Sequence, residues 1–353
     1  MRGRRPLADH HLVVDPHRPE AGPGDEARAR AQRPAESGRQ RDGRGVPLEV
    51  PEPSPDLLGR SGDEHVEPEG GHGTTVGLSV TVPTMERMST PALGAHVEQT
   101  DPIAEAQARK ASLVQFFLGD PQGYKGPEVR FEGGAQALRS AAQEAGVDLY
   151  VHAPYIINVA TLNNRIRIPS RKLLQQHLDA ATEIGAKGLI VHGGHVGADD
   201  DPEKGFDNWR KAIASLTIGD TPVLIENTAG GDNAMARHLD RIARVWEAIS
   251  ATQDAERVGF CLDTCHAWAG GIELGDVVDQ VRAITGRIDL VHANDSRDAA
   301  GSGADRHANL GSGQLPADEL ADVVRAAGAP VVVETPGGAQ EHVADLDWLR
   351  EHL

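Results

Sequence analysis

Short apolar segments alternate with amphipathic stretches along the chain from about residue 91. Each apolar segment is rich in Leu, Val or Ile and is bounded by turn residues, a pattern typical of buried parallel strands. The stretches between them, such as 171–186 and 235–251, carry apolar residues at helical spacing. The strand pattern occurs in LGAHV (93–97), SLVQFFL (112–118), DLYVHAP (148–154), KGLIVHGG (187–194), PVLIENT (222–228), VGFCLDTCH (258–266), IDLVHAND (288–295) and PVVVETP (330–336).

Eight strand–helix units in about 260 residues predict an α/β fold of the TIM (β/α)8 barrel type. A doubly wound open sheet is the alternative arrangement of such units. That fold carries a Gly-rich nucleotide-binding fingerprint after its first strand, and none follows residues 93–97. The barrel is therefore the favoured fold for a domain at residues 89–353.

Residues 1–88 have a different composition. They contain no Phe, Trp, Tyr or Lys, and Pro, Gly, Arg and Glu dominate them. Such a segment buries too little apolar surface to offset its ordering entropy, so we predict a disordered, low-complexity N-terminal extension. A basic nucleic-acid-binding arm is the alternative, but acids are interspersed with its arginines. Because Met85 and Met88 directly precede the patterned region, a further hypothesis is that translation starts there; a natively expressed peptide from before Met85 would contradict it.

The composition of the chain limits the cellular compartment and the binding partners that we expect. The N-terminus has no apolar signal-peptide core, and no apolar run approaches the roughly 18 residues of a membrane span. The two cysteines, Cys261 and Cys265, are too few for a disulfide framework, and we assign them to packing or to support of the ligand residues. We therefore expect a cytoplasmic protein without membrane contact and, as a default, a monomer. The formal net charge of −18 argues against non-specific nucleic-acid binding.

Acids and histidines stand at the C-terminal ends of the apolar segments from the third to the eighth. In a TIM barrel those ends form the catalytic face, where loops gather side chains from many strands. A single histidine there is more often structural, whereas several unpaired charges in a dry site would each cost several kcal/mol. Bound metal ions would neutralise the acids and use the imidazoles as ligands. The candidate ligands are His152, His192, Glu226, Asp263, His266, His292, Asp305, His307 and Glu334.

Two of these candidates come from the loop DRHANLGSG (305–313). Alternate residues of an extended backbone point the same way, so Asp305 and His307 can converge on one ion, although alone the pair is more typical of solvated surface. Imidazole-rich mixed sites suit zinc, or manganese and iron, better than calcium or magnesium. Nine ligands with one bridging carboxylate suit three ions. Three divalent ions would outweigh the four carboxylates by about +2, so the site can attract a phosphate despite the acidic chain.

Four blocks of the patterned region are long and specific. They are VHAPYIIN (151–158), LIENTAGGD (224–232), VGFCLDTCHAWAGG (258–271) and HANDSRDAAGSGADRHANLGSG (292–313). In sequence and order these blocks resemble the signature segments of the endonuclease IV family, the zinc-dependent apurinic/apyrimidinic (AP) DNA endonucleases. The resemblance covers roughly residues 92–353.

The resemblance implies a hydrolase of DNA base-excision repair with three Zn²⁺ ions per chain. Such an enzyme cleaves the phosphodiester 5′ to an abasic site in double-stranded DNA and leaves 3′-hydroxyl and 5′-deoxyribose phosphate ends. It implies three ligand sets: His152, His192 and Glu226 for the first ion; Glu226, Asp263, His292 and Glu334 for the second; His266, Asp305 and His307 for the third. The catalytic residues are then Glu226, as the bridge, and Glu334, which we predict also orients the nucleophile.

DNA contacts are expected at three further residues. The family's loop after the second strand carries an Arg-Gln pair that enters the DNA, and here Gln122 and Gly123 take those places in GDPQGYK (119–125). Tyr155 matches an aromatic of the family with the same use, although capping of the third strand is an equal alternative. Arg306, between two ligands, either meets a phosphate or pairs with a nearby acid. His192-Gly193-Gly194 replaces the family's His-Pro-Gly but keeps the ligand.

Two other functions fit a barrel of this kind. The first is a xylose-isomerase-like sugar isomerase or epimerase, whose strand ends carry similar acids and histidines around one or two metals. It would not need the third ligand set that Asp305 and His307 complete. The second is an inert barrel that only binds DNA or a sugar, which is disfavoured because every ligand position is filled.

Overall fold

The computed structural model describes residues 91–231 and 233–353. The predicted disorder of residues 1–88 and the hypothesis of a start at Met85 or Met88 concern residues outside the described ranges. Asp232, which ends the LIENTAGGD block, lies outside them as well.

Eight parallel strands close into a barrel, because the first strand pairs with both the second and the last. This closure confirms the predicted TIM barrel and rules out the open sheet, which would have two unpaired edges. The barrel strands are β1 (Leu93–His96), β2 (Leu113–Phe117), β3 (Asp148–His152), β4 (Gly188–His192), β5 (Val223–Glu226), β6 (Val258–Asp263), β7 (Leu290–His292) and β10 (Val331–Val333). A separate antiparallel hairpin follows β7 and consists of β8 (Asp295–Ser296) and β9 (His307–Ala308).

Helices connect the strands and cover the outside of the barrel. They are α1 (Pro102–Arg109), α2 (Gly134–Ala145), α3 (Asn164–Glu183), α4 (Pro202–Ile213), α5 (Leu239–Ser250), α6 (Thr264–Gly270), α7 (Val277–Thr285), α8 (Ala317–Ala327) and α9 (Ala339–His352). In α5 the buried residues Ile242, Val245, Trp246 and Ile249 have the 3–4 spacing of one helix face. Across the described ranges, no helix combines the length and the apolar character of a membrane span.

One predicted helix is shorter than its sequence pattern. The amphipathic stretch 235–251 forms a helix only from Leu239 onward. The four residues before it pack against the end of β4, where Met235 N donates to Gly194 O at 2.8 Å. This tertiary contact replaces the first helical turn.

A layer of apolar side chains fills the barrel interior. It consists of Leu113, Tyr150, Ile190, Leu224, Cys261, Leu290 and Val332, one from each strand except β1. β1 has Gly94 at this level, where a Cβ would lie 1.9 Å from Leu113 O. Cys261 and Cys265 are buried free thiols whose pKa burial raises to about 12. Both are therefore protonated, which agrees with a packing role.

Strand register places the ionisable residues at one end of the barrel. His192 lies opposite Glu226 where β4 pairs with β5, and Asp263 lies opposite His292 where β6 pairs with β7. All four are the last residues of their strands. Parallel strands of equal register bring these side chains to the same face, as the sequence predicts.

Buried His177 in α3 makes the fold sensitive to acid. It is 1% exposed, and neither ring nitrogen has a hydrogen-bond partner among the described residues. Burial lowers its pKa to about 4, so the unfolded chain binds this proton more readily and stability falls as pH drops from about 6.5 toward 4. We expect His177→Leu to raise the free energy of unfolding relative to the unsubstituted protein. This increase should be about 2 kcal/mol larger at pH 4.5 than at pH 7.5. Urea unfolding at both pH values measures this, and an equal gain at both would contradict it.

Candidate metal centre

The nine predicted ligand residues all lie at the C-terminal face of the barrel. His152, His192, Glu226, Asp263 and His292 end strands β3 to β7 in that order. Glu334 directly follows β10, and His266 lies in the first turn of α6. Asp305 and His307 are carried by the hairpin between β7 and α8.

Their ligand atoms form three groups, each with atoms within 4.8 Å of one another: His152, His192 and Glu226; Glu226, Asp263, His292 and Glu334; and Asp263, His266 and His307. The first two groups have the membership that the sequence predicts. The third contains Asp263 where the prediction has Asp305. Asp305 nevertheless contacts both imidazoles of that group, so it closes the group from the solvent side.

Glu226 stands between two groups. Its Oε2 lies 3.2 Å from His152 Nε2 and 3.3 Å from His192 Nε2. Its Oε1 lies 3.1 Å from His292 Nδ1 and 3.2 Å from His266 Nδ1. Since each oxygen faces a different set of imidazoles and the side chain is fully buried, Glu226 has the geometry of a bridging ligand.

Hydrogen bonds to backbone carbonyls orient three of the five histidines. His152 Nδ1 donates to Ala153 O at 2.7 Å, His266 Nδ1 to Asn227 O at 2.9 Å, and His307 Nδ1 to Glu334 O at 3.2 Å. A carbonyl oxygen only accepts, so the proton of each neutral ring is on Nδ1 and the Nε2 lone pair remains for another partner. This outer support is the usual one for histidines that bind metal.

The buried acids and imidazoles of the cluster shift the pKa values of one another. Burial opposes ionisation of Glu226, but the imidazoles around it, His292 first, hold its pKa well below the usual range. Burial likewise opposes protonation of His266 and His292, but the neighbouring acids raise the pKa of both rings well above normal. Asp263 has a raised pKa because of its burial. Carboxylates placed this deeply need positive charge beside them.

The third group brings an exposed carboxylate beside two imidazoles. Asp305 Oδ1 lies 3.1 Å from His266 Nε2 and 3.2 Å from His307 Nε2. Both Nε2 atoms are buried. Despite these short distances, neither has a hydrogen-bond partner within the described part of the chain. Donor atoms that face one point without bonding one another are arranged as ligands of an ion are. Nitrogen and carboxylate donors of this kind fit divalent transition metals.

The hairpin that carries Asp305 is anchored, although its Gly and Ser content suggests a flexible loop. Gly301 N donates to Trp268 O at 2.9 Å, and Gly303 N donates to Ala269 O at 2.8 Å. The Trp268 indole donates to Asp298 O at 2.9 Å. Gly230 must lack a side chain, because a Cβ there would lie 2.3 Å from Gly303 O. The glycines thus permit close packing on α6 and the β5–α5 loop.

The three predicted DNA-contacting residues lie in loops, and Tyr155 directly contacts two of the ligand histidines. Tyr155 is 50% exposed, and its ring centroid lies 5.4 Å from that of His152 and 5.6 Å from that of His192. Gln122 is exposed in the loop after β2. Arg306 is exposed and pairs with Asp298, its Nε donating to Oδ2 at 2.8 Å.

Three further residues support the ligands. Asn227 and Asn294 were not predicted from the sequence, whereas Asp295 is one of the acids at the end of an apolar segment. Asn227 exchanges two hydrogen bonds with the backbone of Asp263, at 2.8 and 2.9 Å. Asn294 donates to Asp263 Oδ2 at 2.7 Å and accepts from Glu334 N at 2.8 Å. Asp295 accepts from Gly313 N and Leu315 N and so fixes the loop after the hairpin. Their positions in the sequence could have identified the two asparagines, since Asn227 directly follows a predicted ligand and Asn294 comes two residues after one.

Asp345 in α9 joins the segments that carry His307 and Glu334. It is 2% exposed and accepts from Leu310 N at 2.9 Å, from Asn309 Nδ2 at 2.8 Å and from the Thr335 hydroxyl. Asp345→Asn places an amide donor among these donors, and we expect it to lower the free energy of unfolding by about 2 kcal/mol. Urea unfolding measures the loss. The control is Asp347→Asn, whose surface pair with Arg350 contributes less than about 1 kcal/mol; equal losses would contradict the prediction.

Comparison with known proteins agrees with this arrangement. A family model described as a xylose isomerase-like TIM barrel matches residues 103–352. Probable endonuclease 4 from Mycobacterium bovis and from Mycobacterium tuberculosis are each 56% identical over 259 residues, covering 73% of this chain and 98% of theirs.

Solved structures give the same picture. Endonuclease IV from Thermus thermophilus superposes with a TM-score of 0.64 at 27% identity, covering 74% of this chain and 98% of its own. A D-tagatose 3-epimerase-like protein superposes with a TM-score of 0.60 at 17% identity, over 74% of this chain and 96% of its own, and shows the shared barrel alone. From the family match and the identity to the mycobacterial proteins, this chain belongs to the endonuclease IV family.

Proposed function

We propose that this protein is a zinc-dependent AP endonuclease of DNA base-excision repair. It hydrolyses the phosphodiester 5′ to an abasic site in duplex DNA and leaves a 3′-hydroxyl and a 5′-deoxyribose phosphate. The observation that carries the proposal is the third group of ligand atoms, which Asp305 and His307 bring beside His266. Hydrolysis of a phosphodiester requires stabilisation of the attacking and the leaving oxygen as well as binding of the phosphate, so a third metal site has a use. A sugar isomerase has no need of it.

Zinc is the proposed metal, with three ions per chain. Five imidazoles and four carboxylates suit zinc better than calcium or magnesium, which prefer oxygen alone. Three ions would leave the centre with about +2 after the carboxylates are neutralised, enough to attract a phosphate to an otherwise acidic protein. Bound zinc would supply Lewis-acid polarisation of the phosphodiester and would lower the pKa of a water molecule.

The chain's own residues would position the reactants. Glu226 is fully buried and faces two of the ligand groups, so it fixes their separation. The Glu334 side chain keeps 12% of its surface exposed, and its Oε2 lies 3.2 Å from His292 Nδ1. A carboxylate at the rim of the cluster can accept a proton from an attacking water and hold the remaining lone pair in line with the phosphorus. We therefore assign Glu334 to orientation of the nucleophile.

DNA contacts are proposed for Tyr155, Gln122 and Arg306. Tyr155 packs against Phe117 with ring centroids 5.1 Å apart, yet half of its surface is open above the ligands. An aromatic in that position can stack on a base or sugar beside the lesion. The Arg306 guanidinium already neutralises Asp298, so it would contact a phosphate while keeping that pair. We also propose a monomer in the cytoplasm, where two buried free thiols are compatible with reducing conditions.

Cleavage of defined duplexes tests the proposal. A 5′-labelled duplex with one stable abasic analogue is incubated with zinc-loaded protein, beside the same duplex with an intact nucleotide. We expect incision only at the analogue, on its 5′ side, with a 3′ end that a DNA polymerase extends. Chelation should stop the reaction and added zinc should restore it. Absence of incision together with interconversion of aldose and ketose sugars would contradict the proposal and favour the isomerase.

A further inference from the structure

Gln115 in the middle of β2 reaches three residues of the metal centre. Its side chain is fully buried inside the barrel mouth. The amide nitrogen lies 2.6 Å from Glu334 Oε1 and 3.0 Å from His96 Nδ1, and the amide oxygen lies 2.8 Å from His292 Nε2. No other described side chain is hydrogen-bonded to both Glu334 and His292 in this way.

The orientation of this amide is determined by its partners. An ionised Glu334 only accepts hydrogen bonds, so the NH2 group of Gln115 must face it. Turning the amide over would place its carbonyl oxygen 2.6 Å from the Glu334 carboxylate, where two acceptors repel. The second NH2 proton then goes to His96 Nδ1, and the carbonyl oxygen is left to face His292.

This orientation decides which nitrogen of His292 faces the ligand cluster. A carbonyl oxygen accepts only, so the neutral His292 ring that a metal ion would bind carries its proton on Nε2 and its lone pair on Nδ1. Nδ1 lies 3.1 Å from Glu226 Oε1 and 3.2 Å from Glu334 Oε2. His152, His266 and His307 have the opposite arrangement, with Nδ1 bonded to backbone. The hydrogen bond that fixes the tautomer therefore comes from a side chain for His292 and from a backbone carbonyl for the other three rings.

We propose that Gln115 is the positioning residue of the second ligand group, although it contacts no reacting atom. It holds His292 in the tautomer that presents Nδ1, and it holds Glu334 by Oε1 so that Oε2 faces the same point. By the same bonds it keeps His96 as a hydrogen-bond acceptor outside the ligand set. The inference rests on the proposed binding of zinc by these residues, and it is tested by metal affinity without DNA.

Two substitutions of similar size to Gln115 make the test. Gln115→Met removes both the donor and the acceptor. Gln115→Glu keeps an acceptor for His292 but offers Glu334 a carboxylate in place of a donor. Chelator competition measures the dissociation constant of each zinc ion, and the absorption spectrum of the cobalt-substituted protein reports ligand geometry. We expect both variants to hold the ions of the first and third groups as tightly as the unsubstituted protein does. The ion of the second group should bind about 10- to 100-fold more weakly, with an altered cobalt spectrum.

Thr221→Val is the matched control. Thr221 is equally buried, at the opposite end of the barrel, and its hydroxyl donates to Ala186 O at 2.9 Å. It should lose stability without any change in metal affinity or cobalt spectrum. If Gln115→Met fails to fold, the isosteric Gln115→Glu decides the matter alone.

Three results would overturn the inference. They are unchanged affinity and spectrum in a folded Gln115 variant, equal weakening of all three ions, and weakening in Thr221→Val as well. An unsubstituted protein that binds no zinc would instead refute the proposed function itself, so the two failures are distinguishable.

Discussion

Glu226→Gln should abolish abasic-site cleavage, with a loss of about a thousandfold or more in kcat/KM. The reason is its position, since its two oxygens lie within 3.3 Å of imidazoles in both of the groups that it joins. A glutamine of the same shape has one oxygen and no charge, so it cannot serve both groups. The number of zinc ions retained after dialysis should fall below three.

Cleavage kinetics on the abasic duplex and zinc analysis of the same sample measure this effect. Glu203→Gln is the control, because Glu203 is an exposed carboxylate on α4 that pairs with Arg244. It should retain full activity and three ions. A Glu226→Gln variant that is folded and cleaves within tenfold of the unsubstituted protein would contradict the assigned bridging role.

His307→Ala should remove the ion of the third group and lower cleavage by about a hundredfold or more. His307 and His266 are the two imidazoles there, and Asp305 lies within 3.2 Å of both. With His307 removed, the group keeps a single imidazole, His266, beside the carboxylates of Asp263 and Asp305, and it should hold a metal far more weakly. The other two groups do not include His307, so two zinc ions should remain.

The fold should survive this change, which separates a ligand from a structural residue. His307 lies in the short hairpin outside the barrel sheet, so its loss leaves the eight-stranded core intact. His238→Ala, at an exposed position before α5, is the control and should retain three ions. Circular dichroism and zinc analysis test the prediction. An unfolded His307→Ala protein, or a folded one that still holds three ions, would contradict it.

The sequence was sufficient for the barrel and for the face on which the candidate site lies. Apolar segments of strand length ending in His, Asp or Glu predict both, because parallel strands in register place their last residues at one level. His192 and Glu226 are adjacent for this reason alone. Six of the nine candidate ligands therefore meet through the fold class alone, whereas His266, Asp305 and His307 are brought to them by α6 and the hairpin.

Residues that support the ligands could not be predicted in the same way. Gln115 is a polar residue in the middle of an apolar strand, and its meaning depends on contacts with His292 and Glu334, 177 and 219 residues away in sequence. Asp345 likewise acts through residues that are distant in the chain. The order of the 297–306 loop also comes from tertiary hydrogen bonds to α6, which composition does not reveal.

Zinc content and cleavage measured together, on one sample, test whether three zinc ions are required for incision at an abasic site. Apoprotein is titrated with zinc, and the rate of incision at a single abasic analogue is followed at each ratio of metal to chain. We expect binding to saturate at three ions per chain and full activity to be reached only with the third. Saturation near one ion, or full activity before the third group is filled, would contradict it.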